Sequence, residues 1–170
     1  MYQIPKNPIE QGFLSTIYIN RPSIAIIVDN LSSNQIAFEI INEIHLIEKN
    51  NTEYVLFSQD WNPPVLLPTV ALYHISDIVL YRGNAIATSI NSLYDCINHK
   101  KLRNILWYSY NPYEIELYQN QGNQIHQLIS EKNIKVIARS KSHKRLLEKN
   151  NIPVYDISDF DLKKFSKLLI

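Results

Sequence analysis

The sequence predicts an α/β fold, and three observations carry the prediction. The run "SIAIIVD" (23–29) is apolar without alternation, as a strand covered on both faces must be. It leads into a stretch where Ile36, Ile40, Ile44 and Ile47 recur every three or four residues, which is one buried face of a helix. Short apolar runs and helix-length periodic stretches then alternate to the end of the chain. Parallel neighbours need long connections that pack on the sheet, so this alternation implies parallel pairing. The expected architecture is a Rossmann-like, doubly wound, mostly parallel sheet of about six strands with helices on both faces.

The elements follow in order. Residues 1–22 carry Pro5, Pro8, Gly12 and Pro22, which break any long element, and are read as an extended N-terminal arm ahead of a single domain at 23–170. After the first strand, Ser32 and Gln35 have the spacing of a capping box for the first helix, which ends near Asn50 and Asn51. "EYVLFSQ" (53–59) is the second strand and "DWNPPVLLP" (60–68) a proline-broken loop. A short helix over about 68–76 leads to a third strand, "DIVLYRG" (77–83). A helix over 84–101 has Ile86, Ile90, Leu93 and Ile97 on one side, and "RNILWYSY" (103–110) is the fourth strand. Residues 112–133 read as helix, with Gly122 interrupting it. "IKVIARS" (134–140) is the fifth strand, and "KSHKRLLEKNN" (141–151) a short helix. "IPVYDI" (152–157) is the sixth strand, followed by a closing helix capped by Ser158 or Asp159.

Composition narrows the function classes. With 170 residues the chain can bury a substantial core. The net charge of +1 argues against a general nucleic-acid binder. The charge is unevenly spread: residues 1–96 hold 4 basic and 9 acidic groups, whereas residues 97–170 hold 13 and 7. A basic face or ordinary solvated helix surfaces both fit that asymmetry. A single cysteine, Cys96, permits no internal disulfide and reads as a buried structural thiol. The opening "MYQIPKNPIEQGF" lacks the regions of a signal peptide, and no apolar run approaches the ~20 residues that span a bilayer. A soluble chain without a membrane partner is expected.

Ligands of open parallel sheets bind beyond the carboxyl ends of the strands, so those positions supply the candidate site. They are Asp29 and Asn30 after the first strand, Arg82, Gly83 and Asn84 after the third, and Arg139 and Ser140 after the fifth. Arginines can grip a phosphate or carboxylate through two parallel bonds, and helix starts offer free N–H groups to an anion. Polar strand ends are equally what any such fold needs for solvation and capping. The turn "VDNLSSNQ" contains no glycine to let backbone approach a pyrophosphate, and Asp29 would repel one. No Gly-x-x-x-x-Gly-Lys-Ser/Thr loop and no Gly-x-Ser-x-Gly elbow occurs. The five histidines are scattered singly, and Glu114 and Glu116 read as exposed carboxylates. No catalytic residue, metal or cofactor is therefore expected. The stretch "LWYSYNPYEIELY" (106–118) offers Trp107, Tyr108, Tyr110, Tyr113 and Tyr118 either to a partner interface or to the core.

Three segments, "IIVDNLSSNQIAFEIINEI", "SDIVLYRGNAIATSINSLYDCIN" and "KKLRNILWYSYNPYEIE", resemble a group of small uncharacterised proteins of large tailed phages of marine bacteria. With "VIARSKSHKRLLEKNNIPV" they are also similar to the N-terminal Rossmann-like half of GT-B glycosyltransferases, over roughly residues 23–157. The resemblance implies a half-domain without the donor-binding half. Two expectations follow. The first is a non-catalytic interaction or structural module, a phage protein of the host cytoplasm or the virion, whose partners are other virion proteins or itself. The second is a glycosyltransferase-like half-domain holding a nucleotide sugar through Arg82, Asn84, Arg139 and Ser140, with Asp29 or Asp60 as base.

Overall fold

The computed structural model describes residues 23–32, 35–47, 53–60, 62–111, 113–117 and 122–169. The expected arm at 1–22, together with Ser33, Trp61 and Tyr118, lies outside the described residues. Seven strands form one sheet: β1 (Ser23–Val28), β2 (Glu53–Ser58), β3 (Ala71–His74), β4 (Asn84–Ala87), β5 (Ile105–Ser109), β6 (Lys135–Ala138) and β7 (Asp156–Ile157). Their order is β3-β2-β1-β4-β5-β6-β7, and every neighbouring pair is parallel. This is the doubly wound order in which the winding direction reverses between β1 and β4.

Each face of the sheet has its own core. On one side Ile24, Ile26, Val28, Leu56, Ile86, Leu106, Tyr108 and Ile137 pack against α1 (Gln35–Ile47) and α6 (Leu162–Leu169). On the other, Ala25, Ile27, Val55, Phe57, Ala85, Ala87, Trp107, Val136 and Ala138 meet α2 (Ile90–Asn98), α4 (Gly122–Glu131) and α5 (Lys141–Lys149). Alternation along β1 explains its apolar run, since each residue serves one core or the other. Ile24, Ile26 and Ile27 of β1 and Ile36, Ile40, Ile41, Ile44 and Ile47 of α1 are all buried, and a fully buried isoleucine contributes about 1.5–3 kcal/mol. A four-residue helix, α3 (Glu114–Leu117), lies between β5 and α4. Among the described residues no helix is long and apolar enough to cross a membrane.

The sheet departs from the expected plan in its middle third. Residues 77–83, expected as a strand, fall mostly in a 3-10 turn, Ile75–Leu80, and the run into β4. Three residues per turn put Ile78 and Tyr81 inward while Val79 stays 55% exposed, so the apolar run never alternates across a sheet. His74 starts that turn by accepting the Ser76 N–H. The expected helix over 68–76 contains β3, an edge strand whose Ala71 is exposed. The expected helix over 84–101 opens instead with β4, whose Ala85 and Ala87 face one core and Ile86 the other. Among the described residues the sheet thus has seven strands where about six were expected. The last helix is capped by Asp161, whose Oδ1 accepts the Lys164 N–H at 2.9 Å, and not by Ser158 or Asp159.

Candidate functional site

A cleft of about 420 Å³ opens beyond the carboxyl ends of β1, β4, β5 and β6, at the point where the winding reverses. Val28, Asp29 and Asn30 line it from the end of β1, and Gln35 and Ile36 from the start of α1. Thr88 and Ser89 follow β4; Tyr110, Asn111, Tyr113 and Glu114 follow β5. Arg139 follows β6, and His143 enters from α5. The crevice lies where parallel-sheet proteins bind ligands, but its floor differs from a phosphate site.

The floor is the N-terminus of α2. Ser89 is its cap: the hydroxyl oxygen accepts the Ser92 N–H at 3.0 Å, while Ser92 Oγ accepts the Ser89 N–H at 2.8 Å. Ser92 Oγ also accepts the Thr88 N–H at 2.9 Å, so this buried serine serves two backbone donors at once. The first turn of α2 contains no acidic residue to answer the helix dipole. The chain supplies one from 24 residues away: Glu114 Oε2 accepts the Ile90 N–H at 2.9 Å. Ser89 in turn donates its hydroxyl hydrogen to Asp29 Oδ1 at 2.6 Å. The N-terminus of α2, of the kind that can hold an anion, is filled by the protein's own carboxyl group.

Burial pushes the Glu114 carboxyl up to about 7, opposed by the Ile90 N–H and reinforced by the nearby Asp29 charge. Burial likewise raises the Asp29 carboxyl, opposed by its Ser89 hydrogen bond and aided by Asp95. Both groups hold protons more tightly in the folded chain than in the unfolded one. The stability that Glu114 contributes is therefore complete below its ordinary value of 4.5 and declines as pH rises through about 7. Across the cleft, Arg139 Nη2 pairs with Glu39 Oε1 at 3.2 Å, and its guanidinium carbon stands 4.6 Å from the centre of the Tyr110 ring. Burial, then the adjacent Arg139, lowers the His143 imidazole, so that ring is neutral at pH 7.

The structure gathers some expected site residues and separates others. Asp29, Asn30 and Arg139 line the cleft. Ser140 caps α5 through the His143 N–H, at 3.2 Å. Arg82, Gly83 and Asn84 belong at the opposite edge of the sheet, because they lead into β4 instead of leaving a strand: Asn84 lies beside Ile24, near the start of β1. They cannot share a ligand with Arg139. Asp60 is exposed beyond β2 and tied to Asn62, away from the cleft lining. The aromatic group also divides. Trp107 and Tyr108 are 1% and 0% exposed, locked in opposite cores, and so offer no partner surface. Tyr110 lines the cleft, and Tyr113 stands 66% exposed at its rim. Glu114, read from sequence as exposed, is half-buried in the cleft, whereas Glu116 is exposed. Cys96 is fully buried on α2, and burial raises its thiol well above the usual range, as for a structural cysteine. Among the described residues no group of three His, Cys, Asp or Glu side chains gathers as metal ligands.

The fold and the cleft define a doubly wound parallel α/β protein with a switch-point crevice. No protein-family model and no curated protein matches the chain. Among solved structures it is similar to a 2,6-sialyltransferase of Vibrionaceae Photobacterium sp. JT-ISH-224, crystallised with CMP and lactose. That similarity has a TM-score of 0.43 at 13% identity and covers 86% of this chain but 43% of the sialyltransferase. It is also similar to the uroporphyrinogen III synthase of Thermus thermophilus, with a TM-score of 0.34 at 7% identity, over 100% of this chain and 87% of that one. The chain spans less than half the length of the sialyltransferase. At these scores neither likeness carries a functional argument.

Proposed function

We propose that the chain is a non-catalytic interaction module that uses a nucleotide-type scaffold without binding a nucleotide. One observation carries the reading: Glu114 occupies the N-terminus of α2, where a phosphate would need the Ile90 N–H. The other charged groups of the cleft are also committed within the chain, Asp29 to Ser89 and Arg139 to Glu39. Exposed apolar side chains give a partner something to hold. On the α1 side Leu46 is 74% exposed, and Leu67, whose carbonyl lies 3.3 Å from His45 Nε2 beside it, is 81% exposed. Tyr113 and Leu117 stand out near the cleft at 66% and 85%. Its partners are proteins, either copies of itself or components of a phage particle, as the sequence resemblance implies.

The test is thermal denaturation with a panel of nucleotides and nucleotide sugars at millimolar concentration. A ligand that binds only the folded state raises the melting temperature. The expected result is no shift for any member of the panel; a shift that rises with concentration would overturn the module reading. A second reading, a glycosyltransferase-like half-domain, is favoured by the two carboxyls of raised proton affinity in the crevice, a recurrent feature of acid–base sites. It requires transfer or hydrolysis of an activated sugar that Asp29→Asn abolishes.

A further inference from the structure

At about 420 Å³ the switch-point cleft has the size of a small-molecule site, for which ~300–1,000 Å³ is usual. Its charges are one-sided. Asp29 and Glu114 line it together, and none of the three ion pairs among the described residues includes either one. Asp95 on α2 adds a further negative charge near Asp29. Arg139 does not answer them: it pairs with Glu39 Oε1, which Gln35 Nε2 also holds at 3.0 Å, and it stacks on Tyr110. His143 is neutral at pH 7. Within the chain each carboxyl uses one oxygen, Asp29 Oδ1 on the Ser89 hydroxyl and Glu114 Oε2 on the Ile90 N–H, so a second oxygen of each is left for a ligand. Two polar atoms at the cleft also lack a partner. His143, in the lining, has a buried Nδ1 without a hydrogen bond. Ser109 is 2% exposed and its Oγ is likewise unpaired. Ala87 is in register with Trp107, and two residues further along both chains Ser109 falls beside Ser89 at the base of the cleft.

We propose, resting on the module reading, that this cleft binds an organic cation: an ammonium or guanidinium group sits between Asp29 and Glu114, with its stem against the Tyr113 ring at the rim. Such a group brings several N–H donors and a positive charge, which is what two carboxyls and unpaired acceptors require. An anion meets like charge on this wall, and a neutral molecule leaves both carboxylates unanswered. Burial, with neighbouring negative charge, already raises the affinity of both carboxyls for a proton, and a bound ammonium meets the same need. The exposed Tyr113 ring adds an apolar surface and a π-face for the stem and the charge. The cation is either a free amine or the lysine or arginine side chain of a partner protein; the recognition chemistry is shared.

The experiment titrates the isotope-labelled chain at pH 8, above the Glu114 value of about 7, and follows the Asp29 and Glu114 carboxyl carbons by NMR. The probes are the N-acetyl methylamides of arginine and lysine, and n-butylamine as a free amine of equal charge. The N-acetyl methylamide of citrulline is the uncharged counterpart, and Mg²⁺ the inorganic one. Saturable shifts of both carbons are expected with the organic cations and not with citrulline or Mg²⁺. Tighter binding of the blocked amino acids than of butylamine marks a partner's side chain as the source, and the reverse marks a free amine. Asp29→Asn and Glu114→Gln keep an acceptor for Ser89 and Ile90, and each should weaken binding about tenfold or more. Absence of a saturable shift with every organic cation would overturn the proposal, as would an equal response to citrulline or Mg²⁺, or unchanged binding in both variants. The two readings fail separately: a nucleotide-induced rise in melting temperature counts against the module, whereas no response to cations or nucleotides leaves the module standing and removes the cation site.

Discussion

Trp107→Ala is expected to lower the stability of the chain by about 3–5 kcal/mol, the range for removing a large aromatic from a packed core. Trp107 is 1% exposed and stands in the middle of the sheet, in register with Ala87 of β4 and Val136 of β6. Its small neighbours are what make room for the indole, since Ala85, Ala87 and Ala138 share that face with it. The helices α2, α4 and α5 close over the same core and cannot collapse into the void without moving apart from one another. Urea denaturation measures the effect directly. The outcome separates two meanings of the aromatic segment. A partner-contact tryptophan would leave stability unchanged and weaken assembly, whereas a core tryptophan does the reverse. Tyr113→Ala provides the control: with the ring 66% exposed, its effect on stability should stay within about 0.5 kcal/mol.

Gly83→Ala should cost about 1–3 kcal/mol through overpacking. A Cβ at this position would lie 2.5 Å from the Tyr81 hydroxyl, 2.8 Å from its ring carbon and 3.2 Å from the Ser23 carbonyl oxygen. The tyrosine has little freedom to retreat. It is 1% exposed, its ring stands 5.7 Å from Phe57 in an edge-on arrangement, and its hydroxyl donates to Ser23 Oγ at 3.1 Å. Burial already pushes that hydroxyl up to about 12, so it remains a donor at any working pH. Denaturant unfolding of Gly83→Ala beside Gly83→Ala/Tyr81→Phe identifies the cause: losing the hydroxyl should recover part of the lost stability. Equal stability of Gly83→Ala and the parent would show that the turn before β4 is looser than described. The glycine is thus explained by its buried neighbour at the amino-end edge of the sheet, with no ligand required.

These residues also show what the sequence could and could not convey. Strands β1, β2, β5 and β6 were legible because each is a short run in which nearly every residue is apolar, as burial on both faces demands. The stretch from Ala71 to Ala87 was not legible. A 3-10 turn and a short strand exchange places there, and "DIVLYRG" satisfies the composition of a strand while folding with a period of three. That single exchange carried Arg82, Gly83 and Asn84 to the wrong end of the sheet. The signal that could have corrected it was "TSINS" (88–92), in which Ser89 and Ser92 cap a helix with serine in the place usually held by glutamate.

The candidate site was legible in part for a similar reason. Asp29, Asn30 and Arg139 follow strands that the pattern locates well. Glu114 contributes only through a partner 24 residues away, and nothing in its local sequence separates it from Glu116. A tertiary contact assigned its role: α2 has no acidic residue in its first turn, and the strand order brings the end of β5 beside it.

The measurement that tests the filled seat most directly is titration of the isotope-labelled chain with a nucleoside diphosphate at millimolar concentration and pH below 7, following the Ile90 amide. With Glu114 in place, the Ile90 resonance should not move, whereas in Glu114→Ala the bared N–H should respond to the added phosphate. A saturable shift of Ile90 in the unaltered chain would show that the seat accepts a nucleotide despite Glu114, and would contradict the account.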